Sequence, residues 1–210
     1  MSALRGAAGA EEVFGAGKGP FGHGFVLEPP LAEEQLAEAE RDFGVALPPS
    51  YRSFLREVGG GGAGPYYGLF PLRRDEAGWY WNDSGVRTDG SGLAGPFLSA
   101  EERARLEREY DAREPDERDF PDGQAYRAAR GAWSEEEDEL EAALEAGALC
   151  LSHEGCGYYV WLAVTGPGRG TLFTDMRPSG RGFEPIADDF RGWYLTWLDR
   201  AEETVRRRGR

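Results

Sequence analysis

The chain has 210 residues, enough for one domain or at most two small ones, and enough to bury a core without disulfides or a metal. Asp and Glu outnumber Lys and Arg by 38 to 24, giving a formal charge of −14; that sign excludes a chain built to grip a phosphate backbone or an anionic lipid surface, since both need clustered bases. Hydrophobic residues are 40% and aromatics 12%, too many for a disordered acidic tail, while two cysteines are too few for a disulfide scaffold.

Residues 1–24 are rich in Gly and Ala, with no apolar period and no signal-like pattern. They predict a flexible tail, with structure beginning near Phe25. No apolar run approaches the ~20 residues that span a bilayer, and the expected setting is the cytoplasm, with Cys150 and Cys156 as reduced thiols.

Pro29 and Pro30 precede a predicted helix over 31–43. Proline suits a helix start because the N–H it lacks would be unpaired there. Glu33 and Glu34 fall in the first turn, where acids are favoured; Leu31, Leu36, Ala39 and Phe43 mark one face, and Gly44 ends the helix. A second helix opens at Pro48 and Pro49, with Tyr51, Phe54, Leu55 and Val58 at i, i+3, i+4 and i+7. Glycines 59–62 stop it, and 66–72 predict a short strand.

Residues 73–147 are less regular. Ser99 with Glu102 makes a capping box and predicts a helix over 99–110. The charged stretch 111–131, with Pro115 and Pro121, predicts loop. Ser134 with Glu137 makes a second capping box, and Leu140, Ala143 and Leu144 give the helix that follows one apolar side, closed by Gly147.

The last third is the most regular. Residues 148–152 predict a strand. Residues 158–165 are apolar on both alternating faces, as a central strand requires, and 171–175 return as its hairpin partner after a turn at 166–170. A closing helix over 188–208 carries Phe190, Trp193, Tyr194, Trp197, Leu198, Ala201 and Val205 at the helical period. That broad face is expected to lie on the sheet, so Trp193 and Trp197 join Tyr51, Phe54, Leu55, Trp161 and Leu162 as the expected core.

Two separated blocks carry a resemblance. The first is Phe43-Gly44-Val45-Ala46-Leu47-Pro48-Pro49-Ser50-Tyr51-Arg52-Ser53-Phe54-Leu55, followed by the glycine stop and Pro65-Tyr66-Tyr67-Gly68-Leu69-Phe70-Pro71-Leu72. The second is Gly155-Cys156-Gly157-Tyr158-Tyr159-Val160-Trp161-Leu162-Ala163-Val164-Thr165-Gly166, completed by the hairpin and Phe190-Arg191-Gly192-Trp193-Tyr194-Leu195-Thr196-Trp197-Leu198. The chain resembles the SUKH superfamily, the Smi/Knr type of domain, over about 31–72 and 148–198. The resemblance implies an α+β fold: two N-terminal helices, a mostly antiparallel sheet and a C-terminal helix packed on it. The expected organisation is a single domain over 25–210 with a divergent insertion at about 73–147. Bacterial domains of this kind are similar to immunity proteins that neutralise toxins, many of them nucleases; fungal relatives regulate cell-wall synthesis through protein contacts. Neither role supplies a catalytic motif to carry over.

Cys150, His153 and Cys156 have a metal-like spacing, but a structural zinc site wants four ligands, and the fourth would have to be His23, in the expected tail, or a carboxylate. The same trio as a Cys–His nucleophile lacks an orienting partner. No catalytic site, metal or cofactor is therefore expected. Glu135, Glu136, Glu137, Asp138 and Glu139 form the densest acidic run, read either as a solvated helix start or as a partner-binding patch. Trp79 and Trp81, flanking Tyr80, are either interface anchors or the core of a hairpin; burial is preferred because large aromatics are mostly buried. The leading functional reading is a non-catalytic cytoplasmic immunity protein that occludes a basic toxin domain, an opposite field speeding encounter by roughly 10 to 10³. A regulatory scaffold of the Smi/Knr type and a metal-dependent hydrolase are the alternatives.

Overall fold

The computed structural model describes residues 1, 3–17, 22–83 and 86–208. Two helices lead in. Helix α1 (Glu33–Phe43) starts where the N–H of Ala32 donates to Gln35 Oε1 at 2.8 Å, and ends at Gly44, whose φ of 69° costs a glycine nothing. Helix α2 (Pro49–Glu57) has proline at its first position and buries Tyr51, Phe54 and Leu55. Val58 falls just past its end and stays 44% exposed, so the fourth apolar position leaves the core face. The glycine stop is a close-approach point: at Gly61 (φ 142°) a Cβ would lie 2.4 Å from the Pro71 Cα.

The strand expected over 66–72 is a set of isolated bridges. Leu69 bridges to both Gly62 and Ser152, and the Phe70 N–H donates to Leu151 O at 2.8 Å. A continuous ladder begins only after Pro71, which has no N–H to offer. Strands β1 (Leu72–Asp75), β2 (Gly78–Asp83) and β3 (Val86–Thr88) form an antiparallel sheet in sequence order. Alternation in β2 turns Trp79 and Trp81 inward, at 3% and 1% exposure. Trp81 stacks on Phe43 at 4.6 Å and its Nε1 donates to Tyr51 Oη at 3.0 Å.

Helix α3 (Ala100–Asp111) uses the predicted capping box: Glu102 N–H donates to Ser99 Oγ at 3.2 Å and Ser99 N–H to Glu102 Oε2 at 2.9 Å. The second box is not used. Helix α4 (Gly123–Glu145) starts eleven residues earlier than Ser134 and runs straight through it. Its cap is Asp122, whose Oδ1 accepts from the N–H groups of Gln124 and Ala125 at 2.8 and 2.9 Å. Much of the predicted loop over 111–131 is therefore helix.

The second sheet is β4 (Ala148–Gly155), β5 (Tyr158–Ala163), β6 (Leu172–Asp175) and β7 (Phe183–Ala187), antiparallel in that order, so the predicted hairpin is its centre. Its inner face supplies Leu149, Leu151, Val160, Leu162 and Leu172 to one core with Leu36, Phe43, Tyr51, Phe54, Leu55, Trp79 and Trp81.

Helix α5 (Phe190–Arg208) closes the fold and touches α2, β7 and a 3₁₀ turn at Ala10–Glu12. Phe190 and Tyr194 enter the core at 1% and 6% exposure, while Trp193 and Trp197 are only half-buried against its rim. The helical period brought all four rings to one side; the tertiary packing took the two smaller ones inside. The segment read as a tail also has packing of its own: Leu4, Ala10, Val13 and Ala16 are buried with Phe25 and Ala201. Their spacing is irregular because short turns, not a helix, present them. Ser2 and residues 18–21 of that segment lie outside the described residues. Among the described residues no helix is long and apolar enough to cross a membrane.

Candidate functional site

Helices α3 and α4 form an arm with little apolar packing; its buried side chains are Arg103, Tyr110 and Leu144. At the base, the Arg103 guanidinium lies 4.4 Å from the centroid of Phe97, 5.1 Å from Phe183 and 5.9 Å from Phe173, and donates to Leu98 O. Burial holds its pKa below the usual arginine value. Further out, Tyr110 stacks on Trp133 at 4.4 Å, and the two residues exchange hydrogen bonds: Tyr110 Oη to Trp133 O and Trp133 Nε1 to Tyr110 O, both 3.2 Å.

At its C-terminal end α4 overhangs the outer face of the second sheet. The space beneath is a cleft of ≈ 490 Å³. Trp161 and Tyr159 of β5 and Cys150 of β4 line its floor; Glu141 and Glu145 line it from α4, Asp175 and Arg177 from the end of β6, and Thr88 from β3. The pairing Cys150↔Trp161 explains the shared face. A second hollow of ≈ 400 Å³, lined by Ser91, Leu93 and Ala146, shares Thr88, Glu145, Cys150 and Trp161 with it.

An ion triad ties the arm to the floor. Arg177 Nε donates to Asp175 Oδ1 at 3.0 Å, and its terminal nitrogen reaches Asp175 Oδ2 at 2.7 Å and Glu145 Oε1 at 2.6 Å. Asp175 is 4% exposed, a burial a carboxylate tolerates only when paired. Burial pushes the Glu145 carboxyl above its ordinary range; Arg177 pulls it back, and Glu141 and Asp175 push it the same way as burial.

The acidic run lies mid-helix in α4, not at a helix start. Glu136 pairs with Arg113 at 2.6 Å. Glu135, Glu137, Asp138 and Glu139 are exposed and have no ion-pair partner among the described residues. Trp79 and Trp81, the other partner-binding candidates, are core and offer no surface. Trp161, expected in the core, is half-buried and belongs to the cleft. Cys150, His153 and Cys156 do not assemble: among the described residues no three Cys, His, Asp or Glu side chains are placed to hold a metal ion. Cys150 and His153 share the sheet face of their register partners Trp161 and Tyr159, whereas Cys156 sits apart in the turn after β4 at φ 52°. Glu141, Glu145, Asp175 and Arg177 were not singled out from sequence; the signal available was the spacing Asp138, Glu141, Glu145, which puts three carboxylates on one side of any helix covering them.

The family model described as SMI1 / KNR4 family (SUKH-1) matches residues 30–196. The chain belongs to the SMI1/KNR4 family. The span of this SUKH-1 match encloses both sheets and the arm, and leaves outside it the buried turns at Leu4–Ala16 and the last turns of α5. No curated protein and no solved structure matches the chain significantly.

Proposed function

We propose that this SUKH-1 chain is a non-catalytic binding module, an immunity-type protein that occupies the basic face of a toxin domain. The observation that carries the reading is the row of exposed carboxylates on α4, beside a preformed cleft with an acidic wall. Family membership supports it, since bacterial SUKH domains resemble immunity proteins. So does the net charge of −14. A nuclease is the partner chemistry that fits best, because a groove built to hold phosphates is basic, and carboxylates on a rigid helix can stand where phosphates would. The arm is suited to such a contact. It carries the charge while contributing few residues to the core, so its surface can match a partner without disturbing the fold.

The test is the association rate with the protein encoded beside this one, at two salt concentrations. Attraction between opposite fields predicts a rate that falls as salt rises, because the Debye length shrinks to about 8 Å at physiological ionic strength. If no basic protein binds at any salt, the reading fails and a regulatory scaffold of the Smi/Knr type takes its place.

A further inference from the structure

The triad under α4 is short of a positive charge. Asp175 and Glu145 share the single guanidinium of Arg177. Two carboxylates against one cation leave one negative charge, and Glu141 on the same wall adds another; Arg103, on the same Phe183 ring as Arg177 and bonded to Leu98 O, offsets one of these and leaves the wall net negative. Excess charge in a partly desolvated cleft is costly, and a second cation placed there relieves it.

The floor opposite that wall is aromatic. Trp161 and Tyr159 line it, and the aromatic surface continues beyond: the His153 ring is 4.8 Å from Tyr159 and 5.6 Å from Tyr67, which is 5.2 Å from Phe14. Phe14 and Tyr67 are exposed. The Trp161 ring is braced edge-on by Phe183 at 5.9 Å, and its Nε1, shielded from water, finds no acceptor among the described residues. The ring is therefore oriented by packing and not by an indole hydrogen bond to a described residue.

From the acidic wall and the aromatic floor together, the geometry points to an arginine side chain of a partner protein as the occupant of this cleft, its guanidinium plane over Trp161 and Tyr159 and its N–H groups on Glu141 and Glu145. This rests on reading the chain as a binder of a basic protein, and adds the residue it grips. Arginine fits better than lysine for three reasons. Its plane stacks on an aromatic face, its fork matches carboxylates, and it is the less strongly hydrated cation. The aromatic run toward Phe14 then gives apolar residues flanking that arginine a surface to lie on.

A defined probe tests this without the partner: a blocked glycine–serine peptide with one central arginine, compared with its lysine and citrulline counterparts. The readout is the tryptophan indole N–H spectrum, with the Trp161 signal assigned from Trp161→Phe. The arginine peptide is expected to move the Trp161 signal, the lysine peptide to bind at least ~3-fold more weakly, and the neutral citrulline peptide to leave it in place. Glu141→Gln, at a residue outside the triad, is expected to weaken the arginine peptide roughly 3-fold, while Asp199→Asn on α5 changes nothing. Equal response to arginine and citrulline, a Trp161 signal that never moves, or indifference to Glu141→Gln would each overturn the proposal. The two readings separate cleanly. If Trp161→Phe and Glu141→Gln leave the binding of a basic partner intact, the arginine cleft is wrong and the acidic arm stands.

Discussion

The body of the molecule and the α3/α4 arm are held together by different physics. In the body, Leu36, Leu55, Leu151, Val160 and Leu162 are fully buried, and each contributes roughly 1.5–3 kcal/mol through removal from water. Many such contacts share the load, so no single residue decides where an element sits. The arm has no core of that kind. Its position depends on a few directional fastenings: Arg103 among three phenyl rings, Tyr110 against Trp133, and Arg177 reaching Glu145. This fold separates stability from surface. The body can stay constant while the arm's exposed face changes, and the arm can loosen without unfolding the body.

Leu162→Ala is expected to cost about 2–5 kcal/mol and to unfold body and arm together, read by chemical denaturation with both near- and far-ultraviolet circular dichroism. Two separate transitions would show that the arm does not depend on the body.

His23 sharpens the body's boundary. Its ring lies 5.7 Å from Trp197, and burial lowers its pKa from 6.5 to about 4. The unfolded chain takes up the proton first, so stability falls as pH drops from 6.5 to about 4 and is unaffected above 6.5. Partial exposure of the ring trims the effect to about 2 kcal/mol. Comparing denaturation midpoints with those of His23→Gln isolates it from the carboxylates, and identical pH curves would place the N-terminal turns outside the cooperative unit.

The arm comes next. Arg103→Ala is expected to cost about 1–2 kcal/mol globally and to speed hydrogen exchange along α3 and α4 far more than along β5. Trp133→Ala is expected to cost about 1 kcal/mol, confined to the arm's outer half. A loss from Arg103→Ala as large as that from Leu162→Ala would erase the distinction between the two regions.

The smallest effect on stability carries the most functional information. Glu135→Lys with Asp138→Lys reverses two charges that have no ion-pair partner among the described residues; Glu136 is avoided because it holds Arg113. The stability, read from the thermal midpoint, is expected to stay within about 0.5 kcal/mol of the parent protein, while the association rate with a basic partner falls and its salt dependence flattens. A changed midpoint with an unchanged rate would make the run a structural feature of α4 and nothing more.

Much of the body was legible in the sequence because its signals are local. Two prolines and a spaced run of Tyr51, Phe54 and Leu55 specify α2 with no help from the rest of the chain, and an apolar stretch at 158–165 between turns specifies a central strand. The arm was misread where a local signal had a stronger competitor. Ser134 and Glu137 have the pattern of a cap, but Asp122 caps first, and a helix already running has no use for a second start.

The candidate site was less legible still. Glu135 to Glu139 stood out by density, whereas the cleft's own acids are separated in sequence: Glu141 and Glu145 on a helix, Asp175 at the end of a strand. What the sequence determined by itself is whatever depends on neighbours within a turn or two: helix caps, the period of an apolar face, the family blocks, and the sign of the total charge. The tertiary structure alone decided which of those faces meet. Trp193 and Trp197 share a helix face with Phe190 and Tyr194, yet only the latter pair is fully enclosed, because the rim of a core is set by what packs across from it. Trp161 alternates correctly along its strand, yet which face of the sheet α4 leaves open is fixed by Arg103 and Arg177, residues 58 and 16 positions away with no local pattern linking them to it.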